Sequence, residues 1–117
     1  MTKEDLKKRT KTFAHACVKS AVFLPNNTLG NHVRGQLIRS STSVAANYRA
    51  VCVAQSKPSF ASKLSIVIEE VDESGFWLEF MLEEGLLEKE RILPLLNESA
   101  QLTAIFIASR KTIQGNN

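Results

Sequence analysis

A chain of 117 residues, 44% hydrophobic and 23% charged, is long enough to bury one core of its own without a disulfide or metal staple. Its two cysteines have no Cys-x-x-Cys spacing and neither histidine follows a glutamate at Glu-x-x-His spacing, which excludes the common zinc and di-iron patterns. The net charge of +3 hides a polarity: residues 1 to 63 carry eleven Lys or Arg against two acids, and residues 64 to 117 carry four against ten, or +9 against −6.

Helical signals run through the whole chain, and strand-like alternation bounded by turn residues is absent. Thr2-x-x-Asp5 is a capping-box pattern that opens a first helix with Leu6, Phe13, Cys17, Ala21 and Leu24 on one face, stopped by Pro25. Pro25-Asn26-Asn27-Thr28-Leu29-Gly30-Asn31 reads as a loop.

The second helix is expected over about residues 32 to 54. Val33, Leu37, Val44, Tyr48 and Val51 form its apolar line. Beside that line, Gln36, Ser40, Ser43 and Asn47 fall at i, i+4, i+7 and i+11, a stripe of uncharged polar residues. Amides and hydroxyls in that arrangement suit hydrogen bonds across a helix or subunit interface, where they fix register.

Ser56-Lys57-Pro58 marks the start of a third helix, with Phe60, Leu64, Val67, Val71, Leu78 and Met81 as its core face and Gly85 as its C-terminal cap. Gly75 lies mid-helix, where it costs up to about 1 kcal/mol relative to Ala, so close approach of a neighbouring helix or bulky side chain is expected there. Trp77 and the seven other aromatics are core-like by spacing, so the aromatic platform of a single-strand binder is not expected. The fourth helix is expected over about 88 to 112, with Ile92, Leu95, Leu96, Leu102, Ile105, Phe106 and Ile113 apolar and Pro94 kinking or splitting its first turns.

Four helices of similar length with short connections predict an all-α, antiparallel up-down-up-down four-helix bundle in a single domain, residues 1 to 117. That topology gathers Lys3, Lys7, Lys8, Arg9, Lys11, Arg49, Lys57, Lys63, Arg110 and Lys111 at one end, and most acids toward the other. Cations at the ends of the second and fourth helices complement helix dipoles. Lys7, Lys8, Arg9 and Lys11 sit near the positive end of the first helix and do not, which makes Lys3, Lys7, Lys8, Arg9 and Lys11 the candidate contacts for RNA or DNA phosphates.

The pattern Gln36-Leu-x-Arg39-Ser40-x-x-Ser43-Val44-x-x-Asn47-Tyr48-Arg49, with Ser56, Phe60, Leu64 and Glu70-x-Asp72-Glu73-x-x-x-Trp77-Leu78-Glu79, resembles the four-helix-bundle family first described from ribosomal-RNA intervening sequences. Gly85-Leu86-Leu87 extends the likeness to the last helix. The resemblance implies an antiparallel bundle that assembles into a ring, with a homopentamer favoured. A similar fold occurs in the accessory variability protein of diversity-generating retroelements, a basic pentamer that partners a reverse transcriptase and nucleic acid. This chain departs from the family pattern at Ala50, where Glu is frequent, and at Val53 and Gln55, where arginines are frequent, so the end of its second helix is less basic.

Gln36, Arg39, Ser40, Ser43, Asn47, Glu70, Glu73 and Glu79 are the candidate oligomer or interhelix interface, with Arg39 expected to pair with Glu70, Glu73 or Glu79 of the same or a neighbouring subunit. No nucleophile lies in a recognisable catalytic arrangement, and no cofactor or metal is expected. The Lys-rich N-terminus leads into no apolar run, and no stretch reaches the roughly 20 apolar residues of a membrane span, so reduced thiols and a cytoplasmic protein without a membrane partner are expected. The functional expectation is a non-enzymatic homo-oligomeric scaffold or adaptor that contacts nucleic acid through a basic rim. The alternative is a purely protein-binding partner with no nucleic-acid role.

Overall fold

The computed structural model describes residues 1–115 as four helices and no strand: α1 (Lys3–Ala21), α2 (Thr28–Cys52), α3 (Lys57–Glu83) and α4 (Lys89–Gly115). They form a bundle 48 × 19 × 19 Å in which α1 packs on α2, α2 on α3 and α3 on α4, while α4 meets α1 least. The core holds Phe13, Cys17, Val33, Leu37, Val44, Tyr48, Val51, Leu64, Val67, Val71, Leu78, Met81, Ile92, Leu102 and Phe106, so the expected core faces of all four helices point inward.

Helix boundaries follow local chemistry. The Thr2 hydroxyl accepts from the Asp5 N–H at 3.0 Å while the Asp5 carboxylate accepts from the Thr2 N–H at 3.0 Å, completing the capping box. Helix α2 begins at Thr28, four residues before the expected start. The Asn27 side chain caps it by accepting from the Gly30 N–H at 2.8 Å, which draws the second half of the apparent loop into the first helical turn. Gly30 is required there, because a Cβ would lie 1.8 Å from the Pro25 carbonyl oxygen.

Ser56 caps α3 as expected, its hydroxyl accepting from the Ser59 N–H. The helix ends in a Schellman turn: Gly85 adopts φ 63°, the Leu86 N–H donates to the Met81 carbonyl, and the Gly85 N–H donates to that of Leu82. Gly75 faces α4, where a Cβ would stand 3.2 Å from Ser99 Oγ, the close approach that its position predicts. Helix α4 runs through Pro94 as one element, without the split that was one of two expected outcomes, and extends three residues beyond the expected end.

Two further expectations are corrected. By length and composition, α4 could cross a membrane, contrary to the reading that no stretch qualifies. In the fold it is a bundle helix that buries Ile92, Leu102 and Phe106. The aromatics are also not uniformly internal: Phe23 is 60% and Phe76 55% exposed. Helical spacing cannot separate a core stripe from a ridge beside it when both carry large apolar residues.

Candidate assembly and nucleic-acid surfaces

Contacts between helix ends define the basic end of the bundle. Lys3, at the start of α1, lies 5.3 Å over the Phe60 ring near the start of α3. Arg110, near the end of α4, donates to the Ser65 hydroxyl at 3.3 Å. The first turns of α1 and α3 and the last turns of α4 therefore share one end, as the antiparallel topology requires.

The five candidate phosphate contacts separate there. Lys3, Lys8 and Lys11 are exposed, and Lys7 is half-buried with an ion pair to Glu4 at 3.2 Å. Arg9 turns away from them: its guanidinium donates to both carboxylate oxygens of Glu98 on α4, at 2.7 and 2.8 Å, and to Gln101 Oε1 at 2.7 Å. The hydrogen bonds to Glu98 hold the Arg9 pKa above its ordinary value. Arg9 thus serves as a clasp between α1 and α4.

The polar stripe of α2 also divides. Ser40 is fully buried with its hydroxyl oxygen 3.1 Å from that of Ser74, which donates its proton to the Glu70 carbonyl at 2.9 Å. This is a polar layer between α2 and α3 of one chain. Asn47 donates back to the Ser43 carbonyl at 2.9 Å, within its own helix. Ser43 and Gln36 are half-buried.

Arg39 bridges to Glu70 at 3.1 Å and to Glu73, both on α3 of the same chain. Its bond to Glu73 is the main cause of a guanidinium pKa raised above the ordinary value. Glu79, the third expected partner, is exposed and forms no such bridge among the described residues. Trp77 is half-buried beside this layer. It meets the exposed His32 edge-on at 5.5 Å and donates from Nε1 to Glu73 at 3.4 Å, which makes it an anchor between α2 and α3.

Two grooves mark the outer surface. Lys7, Lys11, His15, Thr42, Ala45 and Arg49 are among the residues lining a groove of about 680 Å³ between α1 and α2. Another, of about 480 Å³ between α3 and α4, has Asp72, Gly75, Phe76, Glu79 and Thr103 in its walls. Neither groove was legible from spacing within one helix, since each needs two helices in register.

Cys17 is an inert core thiol. Cys17 is fully buried and its pKa is pushed up to about 12 by desolvation, which outweighs a hydrogen bond with Ser41. Burial also raises the Tyr48 phenol, with Cys52 adding to the effect. Among the described residues, no three His, Cys, Asp or Glu side chains are grouped to hold a metal ion.

The architecture is that of an all-α four-helix bundle whose distinguishing features are outer surfaces and a small buried polar layer. The chain belongs to the family described as 23S rRNA-intervening sequence protein, whose family model matches residues 3–108. It is similar to a protein of unknown function from the S23 ribosomal protein family of Bacteroides thetaiotaomicron, at 30% identity and a TM-score of 0.86, covering 95% of this chain and 99% of that one. No curated protein matches it.

Proposed function

We propose that this protein is a non-enzymatic cytoplasmic scaffold or adaptor that assembles with copies of itself into a ring of five and contacts nucleic-acid phosphates through its basic end. The observation that carries the reading is the collection of exposed Lys3, Lys8, Lys57 and Lys111 at one end of the bundle, outside any ion pair among the described residues. Lys3 opens α1, where the helix dipole disfavours a cation and the Phe60 ring offsets that cost, while Lys8 is exposed and in no ion pair among the described residues. Family membership in the intervening-sequence group and the S23 naming of the structural relative make RNA the first polyanion to test.

The test is fluorescence anisotropy of labelled RNA and DNA at about 50 and 200 mM salt, with Lys3, Lys8 and Lys57 changed to Glu as the control. Binding that falls steeply with salt and disappears in the control supports the reading. Absence of binding at low salt removes the nucleic-acid role. A second reading, a protein-binding partner with no nucleic-acid role, is favoured by Val22, Phe23 and Leu93, which are 62%, 60% and 47% exposed where α1 ends and α4 begins. Binding of a protein partner that survives the lysine reversals supports that alternative.

A further inference from the structure

Two outer grooves of the bundle carry unpaired charge of opposite sign. Helices contact in the cyclic order α1, α2, α3, α4, so the α1/α2 groove and the α3/α4 groove face away from each other. The first presents Lys11 and Arg49 and the second Asp72 and Glu79, none of them in an ion pair among the described residues. Phe76 follows Asp72 by four residues and precedes Glu79 by three, so all three lie on neighbouring turns of one helix surface. The floor of the basic groove is built from Ala14, Ala45 and Ala46, whose short side chains leave room for a bulky one.

We propose that these two grooves are complementary halves of one head-to-tail interface. A second copy of this chain occupies the α1/α2 groove, inserting Phe76 over the alanine floor and setting Asp72 and Glu79 beside Lys11 and Arg49. The inference rests on the oligomeric reading above and adds the surfaces that make it. Since the halves are unlike and lie on opposite faces, each added copy leaves one of each free, and addition continues until rotation closes a ring.

The internal register constrains the geometry of that ring. Arg39 stands opposite Glu73 and Ser40 opposite Ser74, so Phe76 lies about eight residues, or about 12 Å, along the axis from the level of Ala45 and Ala46. Across a bundle 19 Å wide, bringing the two patches to one height inclines each protomer by roughly 30° to the ring axis. The ring is therefore made of slanted staves.

The experiment is light scattering coupled to size-exclusion chromatography over a range of concentrations, with circular dichroism to verify the fold of each protein. One variant carries Lys11→Glu and Arg49→Glu, a second Asp72→Lys and Glu79→Lys, and a third all four changes. The wild type is expected to be oligomeric, each one-sided variant to need at least tenfold more protein to assemble, and the four-site variant to recover the wild-type mass. One-sided variants that keep the wild-type mass and concentration dependence overturn the inference and leave the oligomeric reading standing. One-sided loss without recovery in the four-site variant overturns the pairing of these two faces. A wild type that is monomeric at every concentration overturns the oligomeric reading and this inference together.

Discussion

Arg9 of α1 and Glu98 of α4 meet as a bidentate pair, 89 positions apart in the chain, across the side of the bundle where the helices touch least. Both side chains are about three-quarters buried, with 23% and 27% exposure, and Gln101 accepts a further hydrogen bond from the same guanidinium. The pair is therefore a fixed clasp, unlike a freely solvated surface ion pair. Arg9→Ala and Glu98→Ala are each expected to lower stability by about 1 kcal/mol, and the double variant by little more than either single change. Urea unfolding of the four proteins measures this, and fully additive losses would show that the two residues act independently.

Arg39 presents a contrasting case. It is 48% exposed although it reaches two glutamates, so water screens much of the attraction. Arg39→Ala is expected to cost no more than about 0.5 kcal/mol in the same urea experiment. A loss near 2 kcal/mol would mean that the Glu70 and Glu73 pair is far more dependent on its counter-charge than its exposure implies.

The glycines of α2 should respond in opposite directions to alanine. At Gly35 nothing stands within 4 Å of an added Cβ, so Gly35→Ala should stabilise the helix by about 0.5 to 1 kcal/mol. At Gly30 the Cβ would collide with backbone at Pro25, and Gly30→Ala should cost about 2 kcal/mol or more. Thermal melts of the two variants should shift to opposite sides of the wild type.

Burial divides the two thiols. Cys52 is half-buried and Cys17 fully so, and a Cys17 pKa near 12 leaves little thiolate at neutral pH. A thiol reagent should label Cys52 in the native protein and Cys17 only after denaturation, read by mass spectrometry. The folded-state pKa is raised above the ordinary 9.0, so Cys17 contributes a stability that is present below pH 9.0 and is lost as pH rises toward about 12. Cys17→Ala should flatten that alkaline loss while lowering stability at pH 7 by creating a small cavity.

Asp5 has the opposite sign. The Thr2 backbone N–H and then the Thr2 hydroxyl hold its pKa below the ordinary 3.8, so the α1 cap is intact above that value and is lost as pH falls through the depressed one. An NMR titration of the Asp5 carboxyl should show the depressed midpoint, and Thr2→Ala should move it back toward 3.8. A midpoint unchanged by Thr2→Ala would assign the shift to the backbone N–H of residue 2, which alanine retains.

The apolar lines of the four helices were legible because burial repeats with the helical period, and Leu37, Val44, Leu64, Val71 and Phe106 all lie in the core. For Arg39 the sequence narrowed the partners to Glu70, Glu73 or Glu79 of the same or a neighbouring chain, and only the register of α2 against α3 selects Glu70 and Glu73 of the same chain. The fate of Arg9 was not legible. It looked like one more member of a lysine cluster because its partner lies on a helix distant in sequence. The start of α2 was also misplaced, because Asn27-Thr28-Leu29-Gly30-Asn31 has the composition of a loop and only the Asn27 cap shows that it is a helical turn.

The sparse meeting of α1 and α4 also sets the order in which the bundle can assemble from an unfolded chain. Its three extensive helix pairings all join neighbours in sequence, so each can form after closure of a short connection, and low contact order favours rapid folding. The α1/α4 seam requires the ends of the chain to find each other and yields the least contact, so it should close last and open first. Amide exchange should accordingly be slowest in the paired interiors of α2 and α3 and faster in the two outer helices.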